Sequence, residues 1–165
     1  MSVIGSYFRL KAADLDRALR EPGWAREFMR EQAVDEPRRS PSERRFHDTE
    51  KSWAALAHLL ALRGLPSEIV HGDRPLPGDE DWGYGPPRTL TSDQVAAAAG
   101  QLADVRFADL AADVTPADLA AAEVYPTGLW SDPYALDYVG AHYGELLAYL
   151  TRTARYRHGL LVWYS

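Results

Sequence analysis

Cysteine is absent from this 165-residue chain, which removes disulfides, thiolate metal sites, iron–sulfur clusters and cysteine nucleophiles, and with them any redox argument about compartment. No run approaches the ~20 consecutive apolar residues that a transmembrane helix needs. The opening, Met1 to Leu10, carries too short an apolar run and no basic leader, so it does not read as a secretory signal. A cytoplasmic protein is expected, without membrane contact. Positive charge is in deficit: the formal net charge is -6, which argues against a nucleic-acid-tracking surface.

Catalytic signatures are missing too. There is no G-x-S-x-G run for a strained nucleophilic serine. Gly83-Tyr84-Gly85 is followed by two prolines and cannot open a helix onto a phosphate, as a nucleotide-binding glycine motif must. The five histidines, His47, His58, His71, His142 and His158, include no i, i+4 pair, so a sequence-local metal site is not expected, nor a cofactor.

What is present is an ordinary globular composition, with 46% hydrophobic and 25% charged residues. A chain of this size buries roughly 70% of its unfolded surface without staples. One domain over residues 1–165 is expected, with no internal repeat. The stretch 3–10 is rich in Val, Ile, Tyr and Phe and reads as a strand, and Ala12 to Arg20 as a helix ended by Pro22-Gly23. Trp24, Phe28 and Met29 mark a second short helix. Val34 to His47, with two prolines and four arginines (Arg38, Arg39, Arg44 and Arg45), reads as an exposed and flexible connector.

Asp48 and Thr49 offer caps to a helix whose Trp53, Leu56, Ala57 and Leu60 form a core-facing stripe, closed by Gly64. Glu68 to His71 reads as a short buried strand. Thr91 and Gln94 match a capping box opening a helix through about Ala103, a further helical turn follows within 104–112, and Thr115-Pro116 starts another helix. Residues 125–133 look irregular. Leu136, Val139, Tyr143, Leu146, Leu147 and Leu150 give the longest amphipathic stripe, and Leu160 to Tyr164 a closing strand. The expected fold class is α+β, a small mixed sheet holding both terminal strands and packed against several helices.

Several segments in this order resemble the YfbM-like family, a bacterial domain of unknown function. They are Met1-Ser2-Val3-Ile4-Gly5 with Tyr7-Phe8-Arg9; Asp48, Lys51, Trp53 and His58-Leu59-Leu60; Gly83-Tyr84-Gly85-Pro86 with Arg88 and Leu90-Thr91; Tyr125-Pro126 with Trp130; and Leu161-Val162-Trp163-Tyr164. The resemblance spans nearly the whole chain. It implies an α+β fold and no established activity. The chain departs from the family pattern in the 34–47 insert and in the acidic stretch before Gly83.

The loop from Gly72 to Arg88 is where a site is expected, because it is long, carries Trp82 and Tyr84, and is stiffened by Pro86-Pro87. Arg88 suits bidentate capture of a carboxylate or phosphate. Asp79-Glu80-Asp81 gathers three carboxylates without the spacing of an EF-hand, and Asp81, next to Trp82, is the one expected to be held in place. The structural alternative has Arg88 pairing with Asp81 or Asp48, and Trp82 and Tyr84 plugging the loop onto the core. His58 sits one step off its helix's apolar stripe and joins Asp81, Tyr84 and Arg88 as a candidate, against the reading of a boundary histidine bonded to backbone. The expected function is a binding or interaction module for an unidentified protein or small molecule, monomeric or weakly dimeric. The alternative is a small enzyme acting on a polar substrate near the 72–91 loop.

Overall fold

The computed structural model describes residues 2–78 and 81–165. The N-terminal run becomes strand β1 (Gly5–Lys11), followed without a break by helix α1 (Ala12–Arg20) and then α2 (Trp24–Asp35). Strand β2 (Phe46–Asp48) and a short 3-10 turn at Glu50–Ser52 lead into α3 (Trp53–Leu62). Next come α4 (Glu68–His71) and the hairpin strands β3 (Arg74–Pro75) and β4 (Arg88–Leu90). Helices α5 (Ser92–Leu102), α6 (Phe107–Leu110) and α7 (Pro116–Ala121) precede the long α8 (Ala135–Arg155) and the closing β5 (His158–Tyr164).

The strand order is β2-β1-β5-β4-β3. Both terminal strands are central, paired from Gly5 opposite Tyr164 to Lys11 opposite His158. Every pairing is antiparallel, so the sheet is not mixed. Strand alternation splits the core into two layers. Phe8, Leu10 and Leu161 face α1 and α2, where Leu15, Ala18 and Ala25 close over them. Tyr7, Leu90, Leu160 and Val162 face the other side, against α3, α5 and α8, whose Leu56, Leu60, Val95, Leu146, Tyr149 and Leu150 are buried. The α+β class is as the sequence implies.

One local reading gains detail and two are corrected. The 34–47 segment is exposed over most of its length, yet it contains a 3-10 turn at Glu36–Arg38, ends in β2, and is tied to the sheet by bonds from Arg9 N to Arg45 O (3.0 Å) and from Arg45 N and Phe46 N to Glu36 Oε1 (both 2.8 Å). Edge pairing with β1 and one inward carboxylate supply the order that periodicity does not announce. Glu68–His71 is a single helical turn rather than a strand, with Ile69 and Val70 buried and Gly72 at φ 72° ending it; a four-residue apolar run has no period by which to tell the two apart. Neither Asp48 nor Thr49 caps α3. Thr49 Oγ1 instead donates to Gly5 O at 3.3 Å, and Asp48 Oδ1 accepts from Glu50 N at 3.2 Å. The box at Thr91 and Gln94 does form, with bonds of 2.8 and 3.2 Å.

Candidate functional site

The 81–88 loop closes over the C-terminal end of β5. Asp81 builds it: Oδ1 accepts from Gly83 N at 2.7 Å and Gly85 N at 2.8 Å, and these two bonds hold its carboxyl below the usual carboxylate range. Tyr84 N donates to Tyr164 O at 3.0 Å and Trp82 N to Gly85 O at 3.1 Å. Gly83, at φ 148°, is required here, since a Cβ would lie 2.5 Å from Tyr164 O. Trp82 is buried edge-on to Trp163, centroids 5.4 Å apart. Tyr84 stays 49% exposed, so of the two aromatics only Trp82 plugs the core. Asp79 and Glu80, the rest of the acidic triplet, lie outside the described residues.

Arg88 pairs with neither Asp81 nor Asp48. Its Nε donates to Gly72 O at 3.3 Å and its Nη2 to Asp73 O, tying the start of the loop to its end. His58 is half-buried on α3, and its side chain makes no hydrogen bond to any described residue. No contact among the described residues joins His58, Asp81 and Arg88 into one constellation.

Behind the loop lies a group that the sequence does not advertise. His71 Nδ1 is 2.6 Å from Tyr164 Oη, which donates to Val70 O at 3.0 Å. The hydroxyl has one proton and Val70 O can only accept, so His71 donates from Nδ1 and keeps a lone pair on Nε2. Burial, then the nearby Arg88 guanidinium, lowers the His71 pKa, and burial raises that of Tyr164. Trp53 packs against Tyr164 at 4.5 Å and Tyr125 at 5.6 Å, and its Nε1 donates to Val3 O at 3.0 Å. Histidine and tyrosine are 93 positions apart, beyond the reach of any local spacing rule.

At the opposite end of β1 and β5 the chemistry is basic. Arg9, Lys11, Arg39, Arg45 and His158 line a cleft of about 250 Å³ together with Glu43 and Tyr156. Arg9 is only 3% exposed, and its guanidinium lies 4.5 Å from the centre of the Tyr156 ring. Burial lowers the pKa values of Arg9, Arg45 and His158, the last to about 4, and the neighbouring cations Arg9, Arg45 and Lys11 add to the effect at His158. Of the four arginines of the 34–47 segment, Arg38 and Arg44 are exposed, while Arg39 and Arg45 are half-buried and fold back into this cleft.

Fold and geometry define a small α+β domain with helices on both faces of an antiparallel sheet and no assembled catalytic set among its described residues. The family model for the Domain of unknown function (DUF1877) matches residues 1–163, and the chain belongs to that family. The crystal structure of YfbM, a protein of unknown function from Escherichia coli, is similar to it with a TM-score of 0.61 and 18% identity, covering 96% of this chain and 98% of that one. At that identity the likeness shows a shared fold. No curated protein matches. Neither description names an activity, and no described helix is long and apolar enough to cross a membrane.

Proposed function

We propose that this chain is a cytoplasmic, non-catalytic binding module whose recognition element is the 81–88 loop, with Tyr84 as the contact residue. The observation that carries the reading is the combination of a pinned backbone and an open side chain. Tyr84 is held at its own N–H by Tyr164 O and flanked by the Asp81 turn, yet its ring is 49% exposed. A rigid amphipathic ring costs little conformational entropy to present to a partner. The enzyme alternative needs Asp81 with His58 or Arg88 in one cleft, and the bonds that Asp81 and Arg88 make to main-chain groups of their own loop lend neither pairing support.

Arg88 serves this reading as a support for the loop and not as a ligand clamp, because two of its donors already engage main-chain carbonyls. The test pairs wild type and Tyr84→Ala as immobilised baits in cell lysate. A protein retained by the first and lost by the second, at equal melting temperatures, supports the reading. Identical retention by both baits overturns it.

A further inference from the structure

We propose that the basic cleft at the Lys11–His158 end of the sheet binds the phosphoryl group of a small soluble molecule, with Arg9 at its floor and Lys11, Arg39 and Arg45 around its rim. This site lies at the far end of β1 and β5 from the Tyr84 loop, and stands or falls independently of it.

The placement starts from strand alternation. Arg9 and Lys11 are two apart on β1 and share a face, and the register sets His158 opposite Lys11. The folded-back 34–47 segment then delivers Arg39 and Arg45 to the same spot. Arg9 is more than nine-tenths buried, and only its Nη2 has a hydrogen-bond partner, Ser42 O at 2.8 Å. Its Nε and Nη1 are buried without one. Burying charged donors unpaired is costly, and Arg9 is not alone. Among the described residues, every arginine with a buried, unpartnered nitrogen belongs to this neighbourhood: Arg9, Arg39 at Nε, Arg45 at Nη1, and Arg152 at Nε beside Arg9. The His158 Nδ1 is unpartnered as well.

The carboxylates nearby do not cancel the excess. Glu36 Oε1 is taken by the main-chain N–H groups of Arg45 and Phe46, while its Oε2 forms an ion pair with Arg39 Nε at 3.4 Å without a hydrogen bond, and Arg39 Nη2 donates to Gln32 Oε1 at 2.9 Å. Glu43 is taken by Ser40, through Oγ at 2.7 Å and N at 3.3 Å. Asp14 acts on Arg45 and His158 from α1. Five cations, Arg9, Lys11, Arg39, Arg45 and Arg152, thus face three carboxylates. A tetrahedral dianion meets several guanidinium forks at once, which a planar monoanion does not. At about 250 Å³ the cleft is below the usual ~300–1,000 Å³ of sites for drug-sized ligands, which favours a phosphate carrying a short organic group.

The experiment is calorimetric titration of the full chain with inorganic phosphate, and with acetate, at constant ionic strength. Saturable one-site phosphate binding is expected, weakened roughly tenfold or more by Arg9→Met, as loss of a charge-assisted pair implies. Because Arg9 is buried, Lys11→Ala is the second variant. It changes an exposed rim residue and should weaken binding by roughly three- to fivefold without moving the melting temperature. Tyr84→Ala should bind phosphate like wild type. The proposal is overturned by the absence of saturable binding, by unchanged affinity in both cleft variants, or by acetate binding as tightly as phosphate.

Discussion

The two ends of the β1–β5 pair contain similar residue types and treat them in opposite ways. At the Gly5–Tyr164 end an arginine, a histidine and a tyrosine are satisfied within the chain: Arg88 by Gly72 O and Asp73 O, and His71 and Tyr164 by each other and Val70 O. At the Lys11–His158 end Arg9, Arg45 and His158 retain buried polar nitrogens without a hydrogen-bond partner. The first end reads as architecture that displays one aromatic. The second reads as chemistry kept in reserve for something outside the chain. A polar side chain's type says little about its role until its donors are counted.

The largest effect that would test this contrast comes from Gly83→Ala. A Cβ there meets Tyr164 O at 2.5 Å and Ser165 Cα at 2.9 Å, so thermal or chemical unfolding should show a loss of about 2–3 kcal/mol. A silent substitution would mean that the loop is not locked to β5. Next comes one substitution made at both ends. Arg88→Met should destabilise by about 1–3 kcal/mol, because it strips partners from two carbonyls. Arg9→Met should cost less than Arg88→Met, within about 1 kcal/mol of no change, since the lost bond to Ser42 O is offset by removing two buried donors that have no partner. Equal losses at the two sites would erase the distinction.

Acid should act on both ends. His47 and His158 are depressed by burial to about 4, and His71 is lowered as well. Each is held neutral in the fold and is free to protonate when unfolded, so the unfolded state binds more protons between the two pKa values. Their contribution is complete above pH 6.5, the ordinary value of the group, and is lost as the pH falls towards about 4. Melting temperatures over that window should decline on acidification, less steeply in His47→Gln. An unchanged slope would remove His47 from the account. Tyr84→Ala should have the smallest effect, within about 0.5 kcal/mol, as befits a residue left 49% exposed; a larger loss would make it structural.

Segments with a strong internal signal were legible in the sequence: α1, α5 with its Thr91 box, the stripe of α8, both terminal strands, and the family. The 72–88 loop was located, and Asp81 was singled out as its fixed carboxylate. The bonding of Arg88 was not legible because its partners, Gly72 O and Asp73 O, are main-chain carbonyls, which carry no side-chain signature. The attachment of the 34–47 insert was not legible because it comes from edge pairing and from one carboxylate, Glu36, bonded to main-chain N–H groups nine and ten residues on.

Long stretches that coil or extend, and the apolar faces they carry, follow from periodicity and caps within a few residues and are fixed before any folding; a run as short as Glu68–His71 is not. Only the tertiary structure decided that His71 meets Tyr164, that Arg9 meets Arg39 and Arg45, and which of these donors would find partners. Hydrogen bonding between groups far apart in the chain depends on strand register and packing, and local spacing contains neither.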